Sequence, residues 1–262
     1  MKRPIVGSLV FVIFLAGGCK TTGSYSAKKV LRDIPREERV ALMVLNFKNT
    51  SLKGKAAEYE PWEFGIPDMI MTDLESIGLF NILSWVRIKD VLEQQAFQSY
   101  GVVDEKEAVE IGKIVAARYL LSGSFMIMNG NLRIESKVFS VENGTLLGAA
   151  SAAGDINRFF DLEKELVIEM LSHLGMMLNP SETSQFARNI ETKSVVASLD
   201  NYAGEVALLQ ANEMKGKGKS DLAEKLIQEA KLRFKDAIKH DPGYRRAKKN
   251  LATLTMAIPM TL

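Results

Sequence analysis

From residue 39 onward the chain alternates apolar runs of strand length with stretches whose apolar residues recur at helical spacing. After Arg39 the sequence reads Val40-Ala41-Leu42-Met43-Val44-Leu45-Asn46-Phe47, a nearly continuous apolar run. Such a run suits a strand buried on both faces. Trp62 to Ile77 follows, with Ile66, Met69, Ile70, Leu74 and Ile77 on helical spacing and Gly78 placed as a C-terminal cap. Leu79 to Leu83 predicts a second short strand. Ser84 caps a helix through about Gln98, marked by Val86, Ile88, Val91, Leu92 and Phe97. Asp104 opens another, whose apolar face is Ala108, Val109, Ile111, Val115 and Ala116.

Three strands come next. Arg118 to Met128 ends at Asn129-Gly130, a strong tight-turn signal. Leu132, Ile134 and Val138 alternate with Arg133, Glu135 and Lys137, as in a half-buried strand. Glu142-Asn143-Gly144 turns the chain into Thr145 to Ala153, and a helix from about Arg158 to Leu178 closes the unit before Asn179-Pro180. The order β-α-β-α-α-β-β-β-α predicts an α/β (α+β) domain over 39–180, a mixed sheet with packed helices. Residues 181–194 read as a polar linker, and 195–256 as helical. There Ala230, Phe234, Ala237 and Pro242 match the second half of a tetratricopeptide repeat, with the helix from Val195 to about Met214 supplying the first half. One repeat cannot bury both its faces, so this pair is expected to pack on the sheet domain or on another chain.

The first residues carry an address. Lys2 and Arg3 precede an apolar run of 11 residues, Ile5 to Leu15. That is too short for a hydrocarbon core of about 30 Å, which needs roughly 20 residues. It has the length of a signal-peptide core. Ala16-Gly17-Gly18 and then Cys19, the only cysteine, resemble a bacterial lipoprotein signal cleaved before Cys19, although the place three residues before the cysteine holds Ala16 rather than leucine. Residues 1–18 are then the signal, and 19–38 a lipidated cysteine and tether. Lys20 in the second mature position, rather than aspartate, points to the outer membrane, with the body in the periplasm.

The 262 residues contain 34 Lys and Arg against 32 Asp and Glu, with 47% hydrophobic and 25% charged residues. This is the composition of a folded soluble body. It leaves no excess of positive charge to attract nucleic acid. Losing residues 1–18 removes Lys2 and Arg3, so the mature chain is balanced at 32 against 32 and its anchoring falls to the lipid.

Catalytic signals are weak. His173 and His240 have no carboxylate or cysteine at ligand spacing, which makes structural or surface roles the expectation. Gly218-Lys219-Ser220 imitates the end of a phosphate-binding loop, but Glu213 stands where that motif needs glycine and a helix precedes it. No cofactor, metal or small-molecule substrate is implied. Two features suit partner binding. Tyr59, Trp62 and Phe64 crowd the loop before the first helix, either as interface anchors or packed beneath the helix start. Arg245 and Arg246, with Lys248 and Lys249, form either a solvated helix face or a docking surface for an acidic partner.

Four segments in order resemble the curli production assembly/transport component (CsgG) family and its relatives with a TolB-N-terminal-like α/β domain. They are the opening strand 40–47, Met69 to Phe80, Ile111 to Ser124 with its Ser-Gly-Ser strand, and Val141 to Leu147. The resemblance covers about residues 39–178. It implies an outer-membrane lipoprotein acting in envelope assembly or secretion, and places the aromatic loop where the curli channel has its constriction. The chain departs from that family in one respect. A spanning strand needs about 9–11 residues, so two barrel hairpins need roughly 40 beyond the core. Asn129-Gly130-Asn131 and 144–158 leave no such room. The expectation is therefore a non-enzymatic lipoprotein that contacts envelope proteins or a second copy of itself. The alternative is a lipoprotein regulator of a peptidoglycan synthase, whose tether over 20–38 extends only about 65–70 Å.

Overall fold

A computed structural model describes residues 31–52, 56–84, 88 and 105–256. Cys19, the signal and most of the helix expected over 84–98 lie outside the described residues. Strand β1 (Val40–Asn49) leads through a short helix α1 (Ala56–Tyr59) to α2 (Trp62–Ile77) and β2 (Phe80–Ser84). Helix α3 (Glu105–Ile114) precedes β3 (Tyr119–Met128), β4 (Asn131–Ser140) and β5 (Leu146–Asp155), and α4 (Phe159–His173) closes the α/β unit. The sheet order is β2-β1-β3-β4-β5, with β1 parallel to both β2 and β3 and the rest antiparallel. This is the mixed sheet with packed helices that the pattern predicts.

The apolar run of β1 divides between two cores. Leu42 and Val44 face α2 and α4, among Ile66, Ile70, Leu74, Leu166 and Met170. Met43 and Leu45 face the other side, against Ala108, Val109 and Ile111 of α3. Between Val44 and Phe47 the strand carries one extra residue, because Val44 pairs with Leu121 but Phe47 with Gly123. This bulge returns Phe47 to the core. Its ring lies across Gly123, where an added Cβ would come within 2.3 Å of it. Gly78 has φ 83° and ends α2, as its position predicts.

The expected linker 181–194 is partly a helix, α5 (Pro180–Ala187). Helix α4 ends at His173, short of the expected Leu178, and Asn179 starts a new helix instead of stopping the old one. Its side chain accepts from the Ser181 and Glu182 amides, Pro180 occupies the first turn, and the Glu182 carboxylate accepts from the Asn179 amide at 2.8 Å. Asn-Pro followed by glutamate at this spacing is a capping-box start. Beyond it stand α6 (Val195–Gly216), α7 (Ser220–His240) and α8 (Arg245–Met256). Ala230, Phe234 and Ala237 are buried on α7. Helices of 22 and 21 residues are longer together than a whole 34-residue unit, and α8 joins them. The bundle docks on α2 of its own chain.

Candidate functional site

The docking seam is where the charged and aromatic residues of interest converge. Gly65 on α2 lets the Tyr202 ring of α6 rest against the helix backbone; a Cβ there would lie 2.6 Å from the ring. Gly204 on α6 receives Phe234 of α7 in the same way, also at 2.6 Å. Two ring-on-glycine contacts therefore stack α2, α6 and α7. The Trp62 indole lies on Phe159 with centroids 4.1 Å apart and donates its N–H to Ser198 Oγ at 3.3 Å. Phe64 meets Tyr202 edge-on at 6.2 Å.

Polar groups close the seam. The Tyr202 hydroxyl donates to Asp68 at 3.2 Å, and Arg246 pairs with Asp68 at 2.5 Å. Arg246 also grips Glu205 with two hydrogen bonds, at 2.8 and 3.0 Å, and lies over the Tyr202 ring at 5.1 Å. Asn250 donates to both Glu205 and Asn201. Burial raises the Asp68 carboxyl above its ordinary value, against the pull of Arg246. Burial opposes the charge on Arg246, but Tyr202, Glu205 and Asp68 overcome it and hold the guanidinium protonated.

Deeper, between α2, α4 and α5, Lys164 pairs with Asp73, lies 3.6 Å from Glu163 and sits 4.6 Å over the Phe186 ring. Glu163 Oε1 is buried without a hydrogen-bond partner. Burial, then the neighbouring Asp73 charge, pushes the Glu163 carboxyl well up, with Lys164 opposing. The adjoining cavity, walled by Met69, Phe160, Ile190, Tyr244 and Arg246, has only about 30 Å³ of room. A small-molecule site needs roughly 300 Å³ or more. The space fits one or two waters able to satisfy Glu163.

These contacts relocate the expected partner-binding residues. Tyr59 ends α1, and Trp62 and Phe64 lie in the first turn of α2 rather than in a loop; Tyr59 and Trp62 are core residues and Phe64 packs against the same core. The reason is that α2 is sandwiched between the sheet and the bundle. Arg246 has its acidic partner within the chain, while neighbouring Arg245 stays exposed. The His173 Nε2 donates to the Ala149 carbonyl, 3.0 Å away, and His240 meets Asp200 at 3.0 Å. Gly218-Lys219 forms the turn between α6 and α7, with Gly218 at φ 71°. Among the described residues no His, Cys, Asp or Glu group is arranged to hold a metal, and no helix is long and apolar enough to cross a membrane. Asp68, Glu205, Tyr202 and Lys164 escaped sequence reasoning. The one available signal was α2 itself, whose Phe64, Met69 and Met71 continue the apolar surface around to the second side.

No protein-family model matches the chain, and no curated protein does. Among solved structures it is similar to the C-terminal domain of LpoB from Escherichia coli, at 19% identity and a TM-score of 0.35, over 49% of this chain and 90% of that one. A lipoprotein from Neisseria meningitidis shares 13% identity at a TM-score of 0.34, over 44% of this chain and 80% of that one. The PelC dodecamer from Paraburkholderia phytofirmans shares 15% identity at 0.34, over 52% of this chain and 90% of that one. At such scores and identities the role of this chain rests on its own residues.

Proposed function

We propose that the protein is a lipid-anchored component of the bacterial envelope that acts through protein contacts, with no chemistry of its own. Its address is the segment 1–19 ending in Cys19, and its body lies on the periplasmic face of the outer membrane. Within that reading, a regulator or adaptor such as an activator of a peptidoglycan synthase is favoured over a curli-type secretion pore. The observation that carries the preference is the β3–β4 hairpin. Every residue from Tyr119 to Met128 pairs with Asn131 to Ser140 in the body's own sheet, and Asn129-Gly130 closes it. These strands leave no length for a barrel. Two outward groups at the middle of the β5 edge are capped by side chains of α4: the Ser151 amide donates to Glu169 at 3.1 Å, and His173 donates to the Ala149 carbonyl. Side-chain caps of this kind blunt an edge against pairing with further strands.

The tether adds a condition. The Leu31 and Arg32 amides donate to the Ser76 and Ile77 carbonyls, both at 2.9 Å, so the chain joins the body there. Only residues 20–30 remain between the lipid and this join, an extended reach of about 40 Å. A synthase partner must come to the anchored body. In-cell crosslinking of the lipidated protein, with a Cys19→Ala control, tests the reading. A monomer captured with a cell-wall synthase, lost with Cys19→Ala, is the expected result. A ring-sized homo-oligomer in the outer-membrane fraction would restore the secretion reading, and substrate turnover by the purified protein would end both.

A further inference from the structure

The body has two unequal ends. The starts of β1, β2, β3 and β5 and the finish of β4 lie together, since β1–β3 are parallel and β3–β5 antiparallel. Helices α2, α3 and α4 all finish at this end: α2 and α3 run into β2 and β3, and His173 at the end of α4 meets the start of β5. The tether joins here as well, at Ser76 and Ile77. Among the described residues of 31–194, four of the six exposed large apolar side chains belong to this end: Met177 at 74%, Leu146 at 52%, Ile114 at 48% and Leu147 at 40% exposure. They come from three segments, the end of α3, the start of β5 and the stretch after α4. Beside them an open groove of about 380 Å³ runs between Lys113, Arg118, Tyr119, Glu142 and Leu147. Arg118 lies 5.5 Å over the Tyr119 ring and has no carboxylate partner among the described residues. The bundle, by contrast, docks on α2 through residues 62–68, at the helix's opposite end.

We propose that this end of the sheet is a membrane-seating surface, with Ile114, Leu146, Leu147 and Met177 dipping into the acyl boundary of the bilayer and Arg118 meeting lipid phosphate. The inference rests on the lipoprotein reading of Cys19, because the tether is what selects the occupant. A lipid held within about 40 Å of this end keeps the bilayer at high effective concentration, so even a small apolar patch engages. Apolar side chains rimmed by arginine, lysine and tyrosine are the composition of an interfacial contact. The bundle and the far end of the sheet then face away from the membrane, toward partners.

The test uses the full chain, processed in a lipoprotein-handling bacterium and reconstituted in phosphatidylethanolamine–phosphatidylglycerol vesicles containing a spin-labelled phospholipid. Lipidation consumes the Cys19 thiol, so Leu147→Cys introduces the only free thiol for an environment-sensitive fluorophore. Leu52→Cys does the same at the far end, and Met177→Cys is a second reporter should Leu147→Cys fold poorly. The expected result is a blue-shifted label at 147 or 177, quenched several-fold more than the label at 52. Equal quenching on vesicles overturns the seating surface while leaving the lipoprotein reading intact. Protection at 147 that persists in detergent, with a doubled mass, assigns the end to a second copy and also overturns it. If the unsubstituted chain itself takes up label at Cys19, the lipoprotein reading fails, and the seating proposal with it.

Discussion

Helix α2 has two working sides, and they are built differently. Toward the sheet it presents Ile66, Ile70, Leu74 and Ile77, all fully buried in a dry apolar core. Toward the bundle it presents the Trp62 indole N–H, Phe64, Gly65 and Asp68, which meet Ser198, the Tyr202 ring and Arg246. The sheet side draws stability from many interchangeable dispersion contacts, each small. The bundle side depends on a few contacts that have no substitute, because a buried charge left without its partner is costly. A domain core tolerates repacking. A seam of this kind is specific, and it opens when one member is lost.

That contrast is broken most directly on the core side. Leu74→Ala empties a fully buried position facing the sheet, and a loss of about 4 kcal/mol is expected from urea unfolding followed by far-ultraviolet circular dichroism. On the seam side, Arg246→Ala strands Asp68 and Glu205 and should cost about 3 kcal/mol. Arg245→Ala, one residue away and exposed, should stay within about 0.5 kcal/mol. Equal losses from the two arginines would deny the seam its specific partner. Gly65→Ala drives a methyl into the Tyr202 ring and should cost about 1–3 kcal/mol. Its signature is release of the bundle, read as faster proteolysis over 188–194 with the sheet core still resistant. A loss without that cleavage would place the strain elsewhere.

Smallest is the effect of the buried carboxyl beside Lys164. The Glu163 pKa is raised in the folded state, so between its ordinary value and the raised one the folded chain binds more protons than the unfolded chain. Stability from this group is therefore lost as pH rises through that window. Glu163→Gln keeps the shape without the ionisation and should raise Tm more at pH 8 than at pH 5. An equal shift at both would remove the titration from the account. At Glu182 the sign is opposite. The Arg32 hydrogen bond, with the Asn179 amide, lowers its pKa to about 2, so its contribution is present above the ordinary carboxylate value and fades as pH falls toward 2.

Much of the α/β half was legible because its signals are local. The run 40–47 announced a strand buried on both faces, and Trp62 to Ile77 is the helix that its spacing describes. Asn129-Gly130 announced its hairpin turn. The start of α5 was present in Asn179-Pro180-x-Glu182 but is disguised as a stop, since proline after asparagine serves either role. The seam was far less legible. Tyr202 and Asp68 are 134 residues apart, and nothing in the spacing around either names the other. Arg245 and Arg246 are adjacent and chemically identical, so composition treats them as one basic patch. Only their positions around α8 separate a buried partner of Asp68 from a solvated neighbour.

What the sequence by itself determined is therefore what depends on neighbours along the chain: the period of apolar residues, the caps and the turns. The tertiary structure decided which sides of those elements meet. It turned aromatic residues that suited an interface into core, gave Arg246 an acidic partner within its own chain, and gathered Ile114, Leu146, Leu147 and Met177 at the end where the tether joins. The physical reason is range. Helix and strand propensities act over a few residues, whereas burial and charge pairing act wherever the folded chain brings groups within a few ångströms.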